Sequence, residues 1–131
     1  MLSCMKLLEN QMDKASLSKF GEEACRLFIA RDFQGLADTF GYALAYNRDI
    51  AQAIKADFED CLSSHSSNSD SGTTTIESVT VKNFKPNDTG LLSVVECVLL
   101  MDKRTRILIE LIAAGNGQDK NLYLEDVNAT D

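Results

Sequence analysis

Leu91-Leu92-Ser93-Val94-Val95-Glu96-Cys97-Val98-Leu99-Leu100-Met101 leads through Asp102-Lys103-Arg104-Thr105 into Arg106-Ile107-Leu108-Ile109-Glu110-Leu111-Ile112-Ala113-Ala114. Apolar side chains fill consecutive positions in the first run, so it is apolar on both faces, which marks a central strand. The short polar link between the two runs predicts a turn. Upstream, Val79 and Val81 alternate with polar neighbours, and Lys85-Pro86-Asn87-Asp88-Thr89-Gly90 reads as another turn. Downstream, Gly115 to Lys120 turns the chain into a last segment, Asn121 to Val127. Four antiparallel strands are expected within 76–127.

The N-terminal half has a different period. Leu17, Phe20, Ala24, Leu27 and Phe28 recur at spacings of three and four, which puts them on one helical face. Helices are expected near 17–31, 33–45 and 48–62, with Ser16, Asp32 and Asn47 as N-caps. Met1 to Met12 would add at most a helical turn or two. Between the halves, Ser63 to Thr75 carries no large apolar residue and should form a mobile Ser/Thr-rich connector. One domain over 1–131 is expected, an α+β fold with three N-terminal helices packed on a four-stranded antiparallel sheet.

Length and charge narrow the function. A chain of 131 residues fits one domain. Its longest nearly apolar run, Leu91 to Met101, is about half of what a membrane span needs. The first residues alternate apolar with polar and do not read as a secretion signal. A net charge of −7 repels phosphate backbones, so direct nucleic-acid binding is not expected. The same charge suits solubility or electrostatic steering towards a basic protein. Cys4, Cys25, Cys61 and Cys97 lack metal-knuckle or redox spacing and read as reduced thiols of a cytosolic protein, three of them within apolar periodic stretches.

Few residues point to catalysis. The sole histidine, His65, falls in the polar connector, without a partner to orient it. No glycine loop of phosphate-binding form and no calcium loop is present. One pair stands out. If Met101 lies opposite Thr105, then Glu96 lies across from Glu110 on the same face, and one carboxyl pKa would rise in apolar surroundings. An open, wetted sheet face is the plainer explanation. No catalytic residue, cofactor or metal is therefore expected.

Val94 to Leu100, Ile107 to Ile112 and Leu122 to Val127 resemble the corresponding runs of small bacterial immunity proteins of contact-dependent growth inhibition systems. The order of elements, with Phe28-Ile29-Ala30-Arg31-Asp32-Phe33 in helices ahead of the sheet, is similar to nuclear transport factor 2-like folds. The resemblance spans most of residues 17–128 and implies a cone-like sheet. It further implies a cytoplasmic protein that neutralises the toxic C-terminal domain of a cognate effector, commonly a nuclease. Two acidic clusters are the expected contacts with a basic toxin domain: Asp57, Glu59 and Asp60 near the end of the third helix, and Glu125 and Asp126 near the C-terminus. The alternative is a small enzyme of isomerase or cyclase type, with Glu96 or Glu110 as base.

Overall fold

The computed structural model describes residues 5–64, 74–85, 88–101, 105–116 and 119–130. In chain order these form β1 (Met5–Leu7), α1 (Lys14–Ile29), α2 (Phe33–Phe40), α3 (Ile50–Ser64), β2 (Thr74–Asn83), β3 (Leu91–Met101), β4 (Thr105–Asn116) and β5 (Asp119–Thr130). Cys4, His65, Lys103 and Arg104 lie outside the described residues, as does most of the expected connector, because α3 continues to Ser64 and β2 already begins at Thr74.

Asp13, not Ser16, caps α1: its carboxylate accepts from the Ser16 N–H at 3.2 Å and from the Ser16 hydroxyl at 2.7 Å. The three-residue spacing satisfies a backbone donor that has no partner inside the helix. Asp32 caps α2 as expected, accepting from the Gly35 N–H. Asp49, not Asn47, does the same for α3 through Gln52. Gly41 closes α2 at φ 69°, a conformation that glycine adopts without steric cost, so the helix ends at Phe40 rather than continuing to 45.

The strands form one antiparallel sheet in the order β1-β5-β4-β3-β2. The expectation of four strands is corrected here: among the described residues the sheet has five strands, with β1 and β2 at its edges. The fifth is β1, where Met5 pairs with Leu122 and Leu7 with Lys120. Three residues cannot display a period that separates strand from helix. The pairing is dictated instead by the unpaired edge of β5 and by a buried place for Leu7.

The three described helices pack on one sheet face. Leu17, Ala24, Cys25 and Phe28 of α1, Leu36 and Phe40 of α2, and Ile54 and Phe58 of α3 are sealed against Val95, Cys97, Leu99, Ile107, Ile109, Leu111, Leu122 and Leu124. Each large side chain so buried contributes about 1.5–3 kcal/mol. The opposite face carries Val94, Val98, Leu100, Leu108 and Ile112, all only half-buried. That second apolar face has no described helix over it.

Candidate functional site

Asp57 and Asp60 are three apart on α3 and so share one side of its last turns. That side packs against β5, whose apolar period slips. Leu124 and Val127 are both buried although three residues apart. Pairing shifts between Glu110↔Asp126 and Leu111↔Leu124, which leaves Glu125 as the extra residue of a β-bulge. Between α3, β5 and the 3-10 turn Ala43–Ala45 lies an open cleft of about 340 Å3, lined among others by Tyr42, Leu44, Asp57, Asp60, Asp126 and Asn128.

Asp57 is the anchored carboxylate of the cleft. The Tyr42 hydroxyl donates to it at 2.6 Å, and Arg48 donates to both its oxygens at 3.2 and 3.3 Å. Arg48 also donates to the carbonyls of Leu44 and Ala45, tying the 43–48 segment to α3. Burial alone would raise the Asp57 carboxyl, but the hydrogen bonds from Arg48 and Tyr42 outweigh it and hold the group below its ordinary value. Tyr42 is 2% exposed, and burial, with the Asp57 carboxylate beside it, pushes its phenol far above the usual range. Asp126 accepts from the Val127 N–H at 2.9 Å and from the Asn128 amide. Among the described residues, no three His, Cys, Asp or Glu side chains group closely enough to hold a metal ion.

Of the five acidic residues singled out in the sequence, Asp57, Asp60 and Asp126 meet in this cleft although β5 is distant from α3 along the chain. Glu59 is exposed on the side of α3 where it influences Arg31, whose guanidinium stacks 4.8 Å over the Phe58 ring. Glu125 acts on Glu110 instead. Tyr42, Arg48 and Tyr46 escape the sequence analysis because the apolar spacing over 33–45 reads as one helix. The usable signal is Gly41, which stops that helix and frees the next residues to line a cleft. Tyr46 is 81% exposed and holds φ 55°, an uncommon backbone state for a non-glycine residue.

A second constellation lies on the sheet face that has no described helix over it. Met101 does pair with Thr105, and Glu96 stands opposite Glu110, which in turn stands opposite Asp126. Lys82 reaches Glu96 at 3.0 Å. Burial, followed by the charges of Asp126, Glu96 and Glu125, raises the Glu110 carboxyl, and Lys82 offsets only part of this. Comparison of the chain with family models, curated proteins and solved structures finds no match. No described helix is long and apolar enough to cross a membrane.

Proposed function

We propose that this chain is a cytoplasmic protein-binding module, an immunity-type inhibitor that neutralises a basic toxin domain, of nuclease class by the family resemblance, through the cleft between α3 and β5. The observation that carries the reading is the convergence of Asp57, Asp60 and Asp126, drawn from two separate acidic clusters, on one open concavity. An Arg or Lys side chain of a partner would find carboxylates there on two walls. Asp57 is held by Arg48 and Tyr42, so reversing its charge breaks that anchor; Asp60 and Asp126 are the other carboxylates of the cleft. Tyr46, an exposed aromatic near Arg48, supplies a contact of the kind that dominates binding energy at protein interfaces.

The test begins with purification of the chain from its native source under conditions that keep partners bound. A stoichiometric basic protein whose toxicity the chain suppresses supports the proposal. Asp60→Lys with Asp126→Lys should then slow association and flatten its salt dependence, while Glu23→Lys, far from the cleft, should not. Asp57→Lys is the wrong probe, because it removes the acceptor of Tyr42 and Arg48 and so attacks the fold. A partner whose binding ignored the cleft charges would refute the site.

The second reading, an enzyme using Glu110 as base, is favoured by the Glu96–Glu110 register and the raised Glu110 carboxyl. Against it, the pair lies on a sheet face with no described helix over it, and Glu96 is ion-paired to Lys82. Turnover abolished by Glu110→Gln, with no protein partner found, would favour this reading over the first.

A further inference from the structure

An antiparallel sheet covered on one side normally alternates apolar-in with polar-out, so its open face carries polar side chains. Here it does not. Val94 pairs with Ile112 and Val98 with Leu108 across β3 and β4. Each of the four is half-buried, with no described helix above it. These two apolar patches, with an acidic row between them, form a partly exposed apolar surface of the sort that marks interaction sites. Across its middle, at right angles to the strands, runs the row Glu96, Glu110 and Asp126.

The geometry points to this face as a further docking surface, beside the cleft, for a protein partner that presents apolar side chains around a central Arg or Lys. The inference rests on the binding-module reading and extends it. Charge complementarity selects the occupant. Lys82 already pairs with Glu96, but a second copy of this chain, related by an axis through the face, would still set Glu110 and Asp126 against the same two carboxylates in a drying interface, a costly arrangement. A guanidinium or ammonium group placed over Glu110 and Asp126 instead satisfies them.

Asp126 also joins this face to the cleft. It stands opposite Glu110 in the sheet, raises the Glu110 carboxyl, lines the cleft and acts on Tyr42 as well. Asp126 thus belongs to both acidic features, which meet at β5. Three strands, β3 to β5, about 4.8 Å apart over the length from Val94 to Leu100 give a footprint of roughly 300 Å2. That is under half of the roughly 800 Å2 a standard interface covers on each partner. The cleft supplies further area.

The probe is a pair of blocked peptides, acetyl-Leu-Arg-Leu-amide and its Glu counterpart, titrated into the isotope-labelled full chain and followed by amide shifts. The Arg peptide should move the amides of 94–100, 106–112 and 123–128, and the Glu peptide should not. Glu96→Gln with Glu110→Gln, a nearly isosteric change that leaves the core untouched, should weaken that response about threefold or more. Shifts confined to 44 and 57–61 would overturn the sheet-face inference and leave the cleft reading standing. Silence at both surfaces would overturn both. Sedimentation showing a dimer that Leu108→Lys dissolves would assign the face to a second copy and overturn the inference too.

Discussion

Gly21 sits in the interior of α1, where glycine is about 1 kcal/mol worse than alanine by propensity. A Cβ there would lie 2.8 Å from Val95 Cγ1, 2.9 Å from Val79 Cγ1 and 3.0 Å from Cys97 Sγ. The missing methyl lets α1 approach the sheet closely, and the tighter packing outweighs the propensity lost. Gly21→Ala should therefore destabilise the protein by about 1–3 kcal/mol, despite improving the helix, as read by urea unfolding. A stabilised variant would show that α1 can move away without loss. Glu110 offers a test of opposite sign. Its folded pKa is raised, so the native state binds the proton more tightly than the unfolded chain, and the ionised group costs stability at neutral pH. Like charges directly opposite on a sheet cost roughly 0.2–1 kcal/mol. Glu110→Gln should recover about that much at pH 7. The gain should shrink as pH falls through the raised pKa, where the wild-type carboxyl becomes neutral by itself. Equal gains at pH 7 and pH 4 would show that charge is not the cause. At Cys97 the hydrogen bond with Cys25 and then burial push the thiol up, so alkylation should fail in the native protein and succeed on unfolding.

Among the elements, β1 shows most plainly where pattern reading ends. Leu7 is 4% exposed and packs with the core from a strand of three residues. Leu7→Ala should cost about 2–4 kcal/mol, with amide protection lost first at 120–122 of β5, where β1 pairs. Unchanged protection there would mean that β1 adds little to the sheet. The longer elements are legible because their periods repeat several times. The β3–β4 register follows from a single condition, Met101 opposite Thr105, since each further pair up to the bulge near Leu91 is then forced. Helix ends are less legible. Asp13, Ser16, Asn47 and Asp49 are all acceptable caps, and only packing chooses among them. The β5 bulge leaves a sign in the spacing of Leu124 and Val127, three where a regular strand has two.

At the scale of the molecule, folding gathers part of the acidic charge into a band, Asp57, Asp60 and Asp126 at the α3–β5 cleft and Asp126, Glu110 and Glu96 across the sheet. Asp57 ties that band to stability. Its folded pKa is lowered, so its contribution is present above the unfolded value of 3.8 and is lost as pH falls through the lower folded value. Asp57→Asn should lower stability at neutral pH and flatten the acid limb of the stability curve, with Tyr42→Phe repeating the effect more weakly. An unchanged acid limb in both variants would remove this trio from the acid response. The sequence by itself determined the two textures, three helices followed by apolar strands, because hydrophobic period is a local property that each segment carries alone. It also determined the amount of acidic charge and where along the chain it lies. Only the tertiary structure decided that β1 joins the sheet, that Glu59 parts from Asp57 and Asp60, and that Asp126 crosses to meet them. Those outcomes depend on which edges and faces are left unsatisfied once the larger elements have packed, and that is a property of the assembled core.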